Sequence, residues 1–232
     1  MNGATIQAHV WKGYAKSAEV LGSSYQFYRP AGHLLLEDGD NLLLEGGGSL
    51  TLESQGFPGS SVLSLPVSLN AEDMKYGKPN KYGKATWYAL VDGTSLRVGD
   101  YFIGPQGTFF IAAMQPLLPI LVVECNRTIS IARPQAQSGK GVQPYSGMTT
   151  ADETPFATNV PCSILQGTKG EKSEVNLPDD TRSPWWVMLF PASVGRVLPG
   201  DLVIDDLGQR YVISSNEVSS LGYRVTAMMT MA

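Results

Sequence analysis

Carboxylates, histidines and cysteines are the side chains in this sequence that could do chemistry, and few of them are spaced for it. Asp100 and Asp201 recur, each directly after a glycine and 101 residues apart. Two carboxylates brought together could share acid–base work. Each of them, however, opens the same local pattern: Gly99-Asp100 is followed by Gly107 and Phe110, and Gly200-Asp201 by Gly208 and Tyr211. An aspartate beside glycine at the start of a hairpin is better explained by its side chain capping turn N–H groups. The two histidines, His9 and His33, have no carboxylate or cysteine at a triad or metal-ligand spacing, and solvated or packing roles account for them. Gly167-Thr168-Lys169-Gly170 lacks the spacing of a phosphate loop and reads as a polar surface loop. These residues imply no catalytic group, metal or cofactor, and the chain is expected not to be an enzyme.

Lys75, Lys78, Lys81 and Lys84 form the one basic stretch. They interleave with Tyr76 and Tyr82 in a twice-written Lys-Tyr-Gly-Lys unit. Lysines could track a phosphate backbone while the tyrosines stack on bases, which makes a nucleic-acid-binding module the alternative reading. A solvated loop, or one that meets an acidic protein neighbour, explains the same residues. Trp87, Tyr88, Trp185 and Trp186 could form a sugar platform, but their place in strand-like runs favours core packing.

The formal charge is −4, with 17 basic and 21 acidic side chains, which argues against a general nucleic-acid binder. Hydrophobic residues make up 43% and charged residues 16%, so the 232-residue chain has the composition to fold. Cys125 and Cys162 read as buried thiols rather than a disulfide. No apolar signal region is expected at the N-terminus, and the longest apolar run, Leu117 to Val123, is too short for a bilayer. A soluble chain with no membrane contact is expected.

The elements follow from periodicity. Ile6, Val10, Tyr14, Ala18 and Leu21 step by three or four, which predicts a helix over 4–22 with Gly22 as its C-cap. Tyr25 to Pro30 then runs extended. Leu34 to Glu53 keeps a period of eight, with Leu34, Leu36, Leu42, Leu44, Leu50 and Leu52 on strand-like runs between turn pairs. This predicts a three-stranded, leucine-rich flap, which needs a partner to cover it. The two Gly-Asp patterns predict β-hairpins, with Gly107 and Gly208 at positive φ, and each follows a Trp-containing run. The expected fold is mainly β: two related tandem antiparallel barrels or sandwiches behind a short helix and the flap. The expected boundaries are 1–33 for the helix and arm, 34–59 for the flap and hinge, 60–134 for the first β-domain, 135–158 for a linker and 159–232 for the second β-domain.

The helix ending in Tyr28-Arg29-Pro30, the Leu34-Leu35-Leu36-Glu37-Asp38-Gly39 run and the duplicated hairpins together resemble structural proteins of tailed bacteriophages. The likeness is to head–tail adaptor, stopper and tail-hub proteins built from small β-barrel modules. It implies a virion component, assembled in the host bacterial cytoplasm as a ring or collar at the neck, tail or baseplate. The implied partners are copies of itself and other phage structural proteins. The helix face (Ile6, Val10, Tyr14, Leu21) and the flap leucines are the expected oligomer contacts.

Overall fold

The computed structural model describes residues 2–30, 61–71, 83–134, 153–167, 171–172, 182–183 and 185–230. Helix α1 spans Gly3–Leu21. Asn2 starts it, its Oδ1 accepting from the Ala4 N–H at 3.3 Å. Gly22 stops it in an extended conformation, φ −94°, so this cap is not the left-handed kind. Glycine is required there by crowding: a Cβ would lie 2.5 Å from the Ala18 carbonyl oxygen and 2.6 Å from that of Val67.

The first barrel contains β1 (Ser23–Tyr28), β2 (Ser61–Ala71), β3 (Thr86–Leu90), β4 (Tyr101–Gly104), β5 (Gly107–Ala113) and β6 (Ile120–Cys125). It closes in the order β1-β2-β3-β6-β5-β4. The second barrel contains β7 (Arg127–Pro134), β8 (Glu153–Gln166), β11 (Trp185–Phe190), β12 (Leu202–Asp205), β13 (Arg210–Ser219) and β14 (Gly222–Thr230). Its order is β7-β8-β11-β14-β13-β12, the same path strand for strand, and all its neighbours are antiparallel. A two-residue ladder, β9 (Glu171–Lys172) with β10 (Arg182–Ser183), branches from the loop before β11.

Alternation along the strands fills each barrel with its own core. Tyr25, Phe27, Phe102, Phe109, Ile111 and Val122 point into the first. Ile129, Ile131, Met188, Val203, Tyr211 and Ile213 point into the second. The mainly β, tandem-barrel expectation is therefore met.

The borders fall elsewhere than expected. The aromatic run at 23–28 is a barrel strand rather than an arm, because it pairs with both β2 and β4. Residues 127–134 open the second barrel, paired with β8 and β12, instead of closing the first. Between the last strand of one barrel and the first of the next stands a single residue, Asn126. The flap leucines Leu34, Leu36, Leu42, Leu44, Leu50 and Leu52 lie outside the described residues.

Candidate functional site

Asp100 and Asp201 are the chemically suggestive pair, and the structure gives each the same neighbours. Gly99 and Gly200 have φ +91° and +93° at the third position of a turn, where only glycine is unstrained. The turn closes by the Asp100 N–H donating to the Arg97 carbonyl at 3.2 Å, and the Asp201 N–H to that of Leu198 at 3.1 Å. The carboxylates accept back from the same residues: Arg97 N–H to Asp100 Oδ2 and Leu198 N–H to Asp201 Oδ2, both at 2.7 Å.

A guanidinium completes each turn. Arg29 donates to both oxygens of Asp100 at 3.0 Å and to the Ser95 carbonyl at 2.9 Å. Arg133 donates to Asp201 at 3.0 and 3.1 Å and to the Arg196 carbonyl at 2.7 Å. The Asp100 hydrogen bonds and charge push the Arg29 guanidinium pKa up, outweighing its partial burial. Each arginine stands at the end of the strand that opens its barrel, Arg29 just after β1 and Arg133 within β7, and ties the Gly-Asp turn to that end. These latches are paired and buried on the carboxylate side, so each carboxylate holds its turn. Sequence reasoning found the aspartates and missed the arginines. The signal was present in the recurrence of Arg29-Pro30 and Arg133-Pro134.

The predicted contact residues fall in two groups. On α1, Ile6 is 38% and Leu21 62% exposed, while Val10 and Tyr14 are half-buried. The Tyr14 hydroxyl donates to the Leu117 carbonyl at 3.4 Å, and Gln7 Oε1 accepts from the Leu117 N–H at 2.6 Å. With Trp11 against Gly93 and Ala18 fully buried, the face that packs on the barrel is Gln7, Trp11, Tyr14 and Ala18. Beside it lies an apolar groove of about 430 Å³ bordered by Ile6, Trp11, Met114 and Leu117. Of the lysine stretch only Lys84 is described, and it is exposed. Lys75, Lys78 and Lys81 lie outside the described residues, as does His33.

Trp87 packs on the first core and donates from Nε1 to Glu124 Oε2 at 2.9 Å. Trp186 packs on the second, edge-on to Tyr211. Neither forms an outward platform. Burial pushes both cysteine thiols upward, and both are free. His9 is exposed, and among the described residues no cluster of His, Cys, Asp or Glu is placed to hold a metal ion. No helix among them is long and apolar enough to cross a membrane.

The barrels meet through a second feature that sequence reasoning missed. Asn126 behaves as an extra strand residue. Its N–H donates to the Cys162 carbonyl at 3.0 Å, its Nδ2 to the Ile164 carbonyl at 2.8 Å, and its Oδ1 accepts from the Ile164 N–H at 2.8 Å. Around it Tyr101, Phe110 and Val123 of the first barrel pack with Leu165 and Leu189 of the second. The buried Tyr101 hydroxyl donates to the Pro161 carbonyl at 3.2 Å. A cavity of about 230 Å³ opens beside this contact, bordered by Thr86, Leu121, Leu189, Leu221 and Tyr223.

No protein-family model matches the chain, and no curated protein matches it. Among solved structures it is similar to the phage-like element PBSX protein xkdH from Bacillus subtilis, at 16% identity, covering 44% of this chain and 92% of that one. The TM-score of 0.29 is too low to show a common fold.

Proposed function

We propose that this chain is a non-enzymatic structural protein of a tailed bacteriophage particle, working as an oligomeric ring or collar at the neck, tail or baseplate. The observation that carries the reading is the use the fold makes of its polar side chains. The paired aspartates hold turns through two matched arginine latches, and Asn126 joins two closed barrels as if it were one more rung. A duplicated scaffold so fixed presents outward surfaces in constant relation, which is what a subunit docking to copies and neighbours requires. The resemblance of the helix, leucine run and duplicated hairpins to phage neck and tail proteins supports the same reading. Exposed Ile6 and Leu21 on α1 and the leucines of 34–53 are the proposed intersubunit contacts.

The test is incorporation. A tagged chain produced during phage growth should copurify with intact particles through a density gradient, whereas a folded variant lacking residues 34–53 should stay in the soluble fraction. Absence of the full chain from purified particles would sink the proposal.

A further inference from the structure

The duplication extends to the outer faces of the barrels. In the first, Tyr101, Phe110, Val123 and Thr86 lie side by side in register across β4, β5, β6 and β3. In the second, Leu202, Val212, Met228 and Trp185 form the same row across β12, β13, β14 and β11. The first row is covered by the second barrel: Tyr101, Phe110 and Val123 are 2%, 1% and 3% exposed against Leu165 and Leu189. All four residues of the second row are apolar and only half-buried.

The receiving face is duplicated too. On the second barrel it centres on Ser163, paired across the ladder with Leu189. On the first, Ser68 pairs with Leu90 at the same place, and both sequences read Pro-x-Ser there, Pro66 to Ser68 and Pro161 to Ser163. Ser68 and Leu90 are buried, at 6% and 4% exposure, and among the described elements outside the barrel α1 is the one packed on β2 and β3. The helix therefore stands to the first barrel as the first barrel stands to the second. Its junction residue Gly22 sits where Asn126 sits.

We propose that the row Leu202, Val212, Met228 and Trp185 is an assembly surface for a second copy of this chain. The β2–β3 face of that copy's first barrel receives it, and α1 is a plug that fills this face until the neighbour displaces it. The proposal rests on the structural-subunit reading for its purpose. The contact itself continues an interface that the chain already builds between its own barrels. Among the described residues α1 is held by few contacts: Trp11 packs on Gly93, Ala18 is its one fully buried residue, and its side-chain hydrogen bonds to the barrel both go to Leu117. Leu117, which makes both of these bonds, has φ +65°, a conformation uncommon for a residue with a Cβ. A row on one end and a receiving face on the other make a head-to-tail contact, which closes into rings or runs into filaments.

The experiment is sedimentation velocity on the full chain over a wide concentration range. Ala18→Glu, which forces a charge under α1, should self-associate at least tenfold more tightly than the wild type. Adding Val212→Glu should return it to monomer. Should Ala18→Glu fail to fold by circular dichroism, the milder Gln7→Ala with Tyr14→Phe, which removes the two bonds to Leu117, carries the same expectation. Three results would overturn the proposal: folded plug variants that stay monomeric, association that survives Val212→Glu, or a wild type that associates as strongly as the variants. None of these readouts involves particles, so failure here and failure of the structural-protein reading are separable.

Discussion

At the scale of single residues, Arg29 and Arg133 decide what Asp100 and Asp201 are for. A bidentate guanidinium with a third bond to a loop carbonyl fixes the carboxylate in one geometry. The carboxylates are 3% exposed, but the arginines are 33% and 36% exposed, so each pair is only half withdrawn from water. Breaking either should therefore cost less than the roughly 3–5 kcal/mol of a fully buried pair. Asp100→Asn and Asp201→Asn should each lower the unfolding free energy by about 2 kcal/mol, measured by denaturant titration. A loss below about 0.5 kcal/mol would place the latches among ordinary surface pairs. The aspartate's role in the turn was legible because its backbone partners, Arg97 and Leu198, stand three residues away. Its arginine stands 71 residues away in one copy and 68 in the other, a separation that only tertiary pairing closes.

Among the elements, the β12–β13 hairpin carries a titratable network that its counterpart lacks. Asp205 Oδ1 accepts from the N–H groups of Leu207 and Gln209 at 3.0 and 2.8 Å, and its Oδ2 accepts from the Tyr211 hydroxyl at 3.2 Å. Burial, and then the Asp205 charge, push the Tyr211 phenol from 10 up to about 12. The folded state thus keeps a proton that the unfolded chain gives up. The stability tied to that proton is intact below pH 10 and is lost as pH rises from about 10 through about 12. Tyr101, Cys125 and Cys162, which burial also pushes up, add to the alkaline loss, so the test is a difference: across this window Tyr211→Phe should lose roughly 2 kcal/mol less than wild type, measured as unfolding free energy against pH. The hairpins themselves were readable from glycine spacing and β-branched runs, since the pairing that closes each one is local. Strands β1 and β7 were not, because membership in a barrel depends on partners such as Leu65 and Val203 far along the chain. The helix was legible at nearly its full length, but the part of its surface that meets the barrel was not. Spacing alone cannot show that Trp11 and Gln7 meet the barrel while Leu21 does not.

For the whole molecule, the repeat was visible in the sequence and the border was not, because the border is one polar residue with no linker composition. Asn126 joins the barrels by hydrogen bonds that copy a strand rung, next to the apolar cluster of Tyr101, Phe110, Leu165 and Leu189. Asn126→Ala removes the side-chain rung and leaves a buried Ile164 amide without its partner. The barrels should then melt as two overlapping transitions by calorimetry where the wild type shows one. A single unchanged transition would assign the coupling to the apolar cluster alone.

The one-residue border also sets an order in time. Every strand of the first barrel precedes Asn126, so that barrel can close on the ribosome before the second exists. Its row at Tyr101, Phe110 and Val123 then waits in water until β8 and β11 are synthesised. During that interval the nascent chain carries an uncovered apolar row, the counterpart in register of the half-buried row at Leu202, Val212 and Met228. On polysomes, where neighbouring nascent chains sit close together, this interval is when mispairing between copies is most readily made, and rapid synthesis through Phe190 shortens it.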